Sequence, residues 1–283
     1  MTAAPRVAVA QDSVPRAGVG TWLRRGLLGL LLAYLLVPIA LTLLYSFATT
    51  WNELLPKALT LEAWSTLFGD PVFWASTGRS LILSASAVAL SIFFLVPTLF
   101  AITLYAPKLS SLLEFFSLWP FVFPGVILAV GLIQIFSNPP LAISGTPWLL
   151  IPAVTVVVMP FAYRAVSNAF ESINVRELAE AARSLGASDL QILAWVIFPS
   201  VLPGVLSGGV LALSASFGEF SLAQLIVGSA WQTLPYYQYL TNAQDGHRSA
   251  AISALAFAIA WGLGTLALQF QRGGSRGKAA TGF

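Results

Sequence analysis

The 14 basic and 11 acidic residues of this 283-residue chain are spaced so unevenly that long stretches carry none. Residues 26–52, 80–107, 115–163, 190–218, 220–244 and 249–271 contain no Asp, Glu, Lys or Arg. A charge-free run of that length has few ways to fold. Only 9% of the residues are charged, where a soluble domain has about 25%, so a water-facing surface of this size could not be covered. In a bilayer, about 20 apolar residues in a helix cross the hydrocarbon. The helix satisfies its own backbone polar groups, which nothing in the surrounding lipid can do. The chain therefore reads as an all-α, polytopic membrane protein.

The intervals locate the spans. The longest, 115–163, exceeds one crossing and is interrupted by Ser137-Asn138-Pro139-Pro140 and Ser144-Gly145-Thr146-Pro147, so two spans are expected in it. The interval 220–244, with Gln224, Gln232, Pro235, Gln238, Asn242 and Gln244, reads as a helix end followed by a loop. Six transmembrane helices result, near 26–48, 79–105, 115–136, 148–168, 201–226 and 249–270. They make a transmembrane domain over 26–271. An N-terminal tail, 1–25, precedes it and is expected to be mobile to about Arg16. A tail over 272–283 follows and reads as a flexible basic end. The first apolar run is longer than the ~7–15 residue core of a signal peptide and lacks a small-x-small cleavage site, so it is expected to be retained.

Basic residues set the orientation, because they collect on the cytoplasmic side. With both termini in the cytoplasm, only Lys57, Arg79 and Arg248 of the 14 basic residues fall outside. Trp51, Trp64, Trp74, Trp148 and Trp231 then lie near the outer interface, and Trp22 and Trp195 near the inner one, as interfacial anchors do. Cysteine is absent and His247 is the single histidine, so neither a thiolate site nor a histidine-rich metal site can be built. His247 reads as a loop residue.

Between the fourth and fifth spans, on the cytoplasmic side, lies the segment 174–199, NVRELAEAARSLGASDLQILAWVIFP. Asn174 is a good N-cap, and Glu177 stands where a capping box places its second member. Leu178, Ala181, Ala182 and Leu185 form one narrow apolar stripe at helical spacing, with Arg176, Glu180, Arg183 and Ser184 off it. Gly186 suits a left-handed C-terminal cap. Ser188, with Gln191 three residues on, starts a second helix, and Pro199 and Pro203 mark the entry to the next span. Two capped helices joined by glycine make a defined elbow. The stripe could pack on this chain's own spans or receive a partner.

Glu180-Ala181-Ala182, three residues, Gly186, nine residues, then Val196-Ile197-Phe198-Pro199 resembles the EAA loop of binding-protein-dependent ABC importer permeases, type I. The family pattern has Ile and Leu where this chain has Val196 and Phe198. The resemblance runs from the first span to the last. It implies that the elbow is a coupling helix whose Glu177, Leu178, Glu180, Ala181, Ala182, Arg183, Leu185, Gly186, Asp189 and Pro199 engage a cytoplasmic ABC ATPase dimer. It also implies a second permease subunit, commonly a different chain in this branch, an extracytoplasmic solute-binding protein, and the bacterial inner membrane. The chain itself holds no phosphate loop. Gly273-Gly274-Ser275-Arg276-Gly277-Lys278-Ala279 comes nearest, but Arg272 and Ala279 occupy the positions that need Gly and Ser/Thr. ATP and Mg are thus expected on the partner. No catalytic residue, metal, cofactor or nucleic acid is expected on this chain.

Polar residues inside the spans are the pathway candidates. Glu219 follows Ser216 late in the fifth span and precedes Phe220. A carboxylate at that depth normally faces a cavity or a partner; alternatively the span ends near Phe217 and Glu219 is solvated. Permeases of this type often carry Gly-Glu-Phe here. Gln134, Tyr163 and Asn168 are further lining candidates, or ordinary interhelical hydrogen-bonders. Gly204 and Gly208 predict a close helix crossing. Leu234–Leu240 reads as external, its tyrosines at the interface or against a binding protein. The second functional reading, a secondary transporter or channel without ATPase, calls for ionisable residues in several spans, and Glu219 is the one candidate. Ser184-Leu185-Gly186-Ala187-Ser188 resembles permeases for polyamines, iron(III), sulfate-like anions, thiamine or phosphonates.

Overall fold

The computed structural model describes residues 19–51 and 56–280. The tail residues 1–18 and 281–283 lie outside the described residues, with Arg6 and Arg16 among them. The described chain is helical throughout, apart from turns and one isolated bridge between Ala48 and Leu59. In order the helices are α1 Val19–Ser46, α2 Glu62–Gly69, α3 Pro71–Tyr105, α4 Ser110–Leu118, α5 Gly125–Phe136, α6 Pro147–Glu171, α7 Val175–Ser184, α8 Asp189–Gln191, α9 Phe198–Phe217, α10 Ser221–Ile226, α11 Leu234–Asn242 and α12 Gly246–Ala280.

Four helical stretches are each long and apolar enough to cross a membrane: Trp22–Ser46, Pro71–Tyr105, Pro147–Glu171 and Asp189–Phe217. A fifth crossing would be the pair Pro107–Phe121 and Gly125–Phe136, bent by 98°. The expected span over 115–136 is therefore broken at its prolines. Pro120 and Pro124 each lack an N–H and disfavour helix in the residue before them, and Gly125 adds freedom beside them. The sixth expected span, 249–270, falls within α12. That helix runs on to Ala280, so residues 272–280 extend it instead of forming a separate flexible end. Adding residues to a formed helix carries no nucleation cost.

Two more boundaries move. Helix α3 begins at Pro71, well before the expected residue 79, because Asp70 caps it: its carboxylate accepts from the Val72 amide at 2.8 Å, and Pro71 needs no donor in the first turn. Helix α9 stops at Phe217 instead of continuing to 226. After Gly218, Glu219 accepts from the Leu222 amide at 2.9 Å and starts the short α10. The interval read as a helix end and loop is thus two short helices folded back on the bundle.

The main core gathers α3, α5, α6, α7, α9 and α10, with Leu95, Leu150, Val154, Val158, Val166 and Val201 fully enclosed. Helices α6 and α9 cross closely at the predicted glycines. A Cβ on Gly204 would lie 2.4 Å from Ala169 Cβ, and one on Gly208 would lie 2.9 Å from Ala165 Cβ. A second cluster, at the end taken as external, joins Leu67, Phe73, Phe217, Leu234, Tyr237 and Ile252. Tyr237 is buried in it and donates to Asp70 at 2.7 Å, so this tyrosine is not an interfacial side chain. Only a residue on the outward side of α11 can stay exposed, as Tyr239 does at 54%. His247 also departs from the loop reading. It lies in the first turn of α12, stacks on Tyr45 at 4.2 Å, and its Nδ1 is 2.9 Å from the Tyr45 carbonyl.

Candidate functional site

The elbow between α7 and α9 is built by local chemistry. Asn174 Oδ1 accepts from the Glu177 amide at 3.3 Å, and its Nδ2 donates to Glu177 Oε2 at 2.9 Å. At the other end Gly186 takes φ +83°, the left-handed region. The Gly186 amide donates to the Arg183 carbonyl at 2.9 Å and the Ala187 amide to the Ala182 carbonyl at 3.1 Å. That pair of bonds is a Schellman cap, which consumes carbonyls a helix end otherwise leaves open. Gln191 then accepts from the Ser188 amide at 2.8 Å and opens the next helix.

Pro199 lies in the first turn of α9, at the entry to the span, without interrupting the helix. The backbone stays helical from Asp189 to Phe217. It passes through a π-helical turn at Ile192–Ile197, where the Phe198 amide reaches the Leu193 carbonyl. Proline supplies no N–H and its ring collides with the carbonyl four residues back. The wider i→i+5 turn immediately before Pro199 absorbs both problems. The elbow is therefore continuous with the fifth span, and a displacement of α7 bears directly on α9.

The apolar stripe of α7 divides. Val175 and Ala179 are buried, and Leu178 and Ala182 pack partly buried beside them against the main core. Ala179 stands on this inward face although the motif-based stripe left it out. Ala181 and Leu185 are instead exposed: Ala181 lies on the outward side of α7, and Leu185 follows the helix end at Ser184, in the cap. Leu185 is 91% exposed and Leu190 76%. Glu177, Glu180 and Ser184 are exposed with them. Burial of Val175 alone contributes about 1.5–3 kcal/mol, so the helix is held by its inner face while Leu185 stays exposed.

A cluster that sequence reasoning did not assemble locks this geometry. Arg183 Nη2 pairs with Asp189 Oδ1 at 2.9 Å, joining the two sides of the Gly186 turn. The hydroxyl of Tyr105, the last residue of α3, donates to Asp189 Oδ2 at 2.5 Å and accepts from Arg183. The Arg183 guanidinium also lies 5.6 Å from the centre of the Tyr105 ring. The hydrogen bond to Asp189 raises the Arg183 pKa above its ordinary value. A tyrosine at a helix end beside Pro107-Lys108 looks like an interfacial anchor in sequence, so nothing there marked Tyr105.

The pathway candidates do not share one cavity. Tyr163, 6% exposed, lines a space of about 370 Å³ between α3, α4 and α6, together with Glu114, Ser167 and Glu171. Phe220 lines a different one of about 420 Å³ with Gln238, Tyr239 and Ser253. Ser216 is buried and donates to the Leu213 carbonyl at 3.0 Å. Glu219 is half-buried at the break between α9 and α10, while Gln134 and Asn168 are exposed. Among the described residues no group of His, Cys, Asp or Glu could hold a metal ion.

Residues 95–273 match the family described as binding-protein-dependent transport system inner membrane component. The chain is 29% identical over 232 residues to a putative 2-aminoethylphosphonate transport system permease protein, PhnV, of Salmonella typhimurium, covering 81% of this chain and 86% of that protein. It is 27% identical over 224 residues to the spermidine/putrescine transport system permease protein PotC of Escherichia coli, covering 78% and 83%. Its fold resembles a chain of a bacterial ABC transporter that imports the acidic polysaccharide alginate, with a TM-score of 0.64 at 19% identity over 88% of this chain and 95% of that one.

Proposed function

Because the chain belongs to the binding-protein-dependent transport system inner membrane component family and is an ABC importer permease subunit, we propose that its elbow is the contact through which a cytoplasmic ATPase dimer drives solute import. One observation carries this. A helix anchored by Val175 and Ala179 presents Leu185 to water at 91% exposure, on a turn continuous with a membrane-spanning helix. Leu185, Ala181, Glu177, Glu180 and Leu190 form the contact surface. Asn174, Gly186 and the Arg183–Asp189 pair hold its shape, and Leu178, Ala182 and Pro199 connect it to the bundle. ATP and Mg act on the partner. Closure of the ATPase dimer draws the elbows together and opens the paired permeases outward; hydrolysis resets them. Such a transfer needs a stiff element between motor and spans.

The same reading places both termini in the cytoplasm of a bacterium, pairs this chain with a second, different permease, and puts an extracytoplasmic binding protein at the far end. The pathway residues are Gln134, Tyr163, Asn168, Ser216, Glu219 and Phe220. For the cargo, the two relatives' named solutes share a primary amine, which favours an amine-bearing small solute over iron(III) or sulfate. An ATPase-independent secondary transporter or channel would leave the exposed Leu185 without a role.

Two experiments test this. Leu185→Asp should cut recovery of the ATPase subunit in co-purification at least tenfold while the thermal midpoint of the permease stays put; undiminished recovery counts against the docking surface. Uptake of labelled 2-aminoethylphosphonate and of spermidine into cells expressing the complete system should show at least one of them transported and competed by the unlabelled compound. Transport of neither sinks the proposed cargo class.

A further inference from the structure

We propose that Tyr105 is a positioning residue that ties the elbow to the cytoplasmic end of α3, so that displacement of the elbow moves two membrane-spanning helices and not one. The inference rests on the coupling role proposed for the elbow. Its own observation is separate: one hydroxyl, on the last residue of α3, is bonded to groups on both sides of the Gly186 turn. Arg183 lies in the last turn of α7 and Asp189 begins the continuous helix that becomes the fifth span. Each of those helices could move past α3 without breaking a covalent constraint. The shared hydroxyl couples them, because sliding either one costs a bond to Tyr105.

The cluster is poorly placed to serve stability. Tyr105 is 58% exposed, and the side chains of Arg183 and Asp189 are 38% and 53% exposed. Ion pairs with that much solvent around them contribute little to folding. What three mutually bonded groups do provide is geometry. The guanidinium is planar and offers a fixed fork of donors, the carboxylate uses one oxygen for Arg183 and the other for Tyr105, and the tyrosine ring lies under the guanidinium. The direction of Tyr105 relative to the turn is thereby set from three sides.

The test uses the complete assembly of both permeases and the ATPase in lipid nanodiscs. The chain lacks cysteine, so a single cysteine can be placed in turn at Trp74 and at Leu141. Both are exposed, at 55% and 56%, at the end of the bundle opposite the elbow. The readout is the rate of labelling by a membrane-impermeant maleimide with and without ATP and vanadate, divided by the rate of ATP hydrolysis. Tyr105→Phe, which keeps the ring and removes the shared hydroxyl, should reduce the nucleotide-dependent change per ATP at least threefold. Tyr105→Ala should reduce it tenfold, with the ATPase still co-purifying. Combining Tyr105→Phe with Asp189→Asn should be no worse than the stronger single change, since contacting groups are not additive. Full nucleotide response in Tyr105→Phe overturns the proposal, as does a purely additive double variant. If Tyr105→Ala does not assemble, Tyr105→Phe decides alone. If the parent assembly itself shows no response to ATP at either position, the coupling reading fails, and this inference fails with it.

Discussion

Gly186 shows how much one backbone position can decide. Its φ of +83° is left-handed, and nothing lies within 4 Å of where a Cβ would be. Space is therefore no obstacle to a side chain, but conformation is. An L-residue in that region is disfavoured by roughly 1–2 kcal/mol, and a β-branched one suffers more. Gly186→Val should leave the buried helices intact and loosen the turn that holds Leu185. The expected outcome is ATP hydrolysis with at least fivefold less uptake per ATP. Unchanged uptake per ATP in Gly186→Val would falsify the idea that the turn transmits force. Leu185 was legible as apolar, but its outward direction was not. Helical spacing assigned it to the stripe, and the cap turned it away from the core.

At the scale of elements, two contacts determine how the spans sit. The first is the α6–α9 crossing. A Cβ at Gly204 would come within 2.4 Å of Ala169 Cβ and 3.0 Å of the Ala165 carbonyl. Neither neighbour has a flexible end that can swing aside. Gly204→Val should destabilise by about 1–3 kcal/mol, the usual range for overpacking, read as a lower unfolding midpoint in detergent. The second contact is at the far end, where Asp70 caps α3, accepts from Tyr237 of α11 and lies 3.9 Å from Arg248 of α12. Burial pushes the Asp70 pKa up, but the Tyr237 hydroxyl, the Val72 amide and the Arg248 charge outweigh it and leave it lowered. A lowered pKa means the folded state favours the carboxylate. Its stabilisation is present above the ordinary carboxylate range and is lost as pH falls through the lower folded value. Asp70→Asn should therefore lower the unfolding midpoint at pH 7, and the gap to the parent protein should close in acid. A gap of constant size from pH 7 to pH 3 would show that the charge of Asp70 is not what matters.

For the whole molecule, the surface is as informative as the core. No residue in the most apolar window of α1 is buried within the chain, and large apolar side chains such as Leu30, Tyr34 and Phe93 are exposed by 68% or more. Lipid would cover such a surface, and so would the second permease proposed above. Co-expression with that partner should raise the unfolding midpoint of this chain in detergent by several degrees. An identical midpoint with and without it would argue that α1 faces lipid alone. Membrane class, the helical fold and the capped elbow could all be read directly from the residues, because each follows from local rules. Charge-free runs must leave water, a helix must satisfy its own backbone in lipid, and Asn174, Gly186 and Ser188 act within a turn of themselves. The start of α3, the end of α9, the 98° size of the break before α5 and the π-turn before Pro199 needed the backbone. Each is a compromise between a proline, glycine or acidic residue and the hydrogen bonds around it. Tyr105 meeting Arg183 and Asp189 across 78 and 84 residues was decided by tertiary structure alone. Spacing along a chain sets which side chains share a helix face, and only packing determines which faces meet.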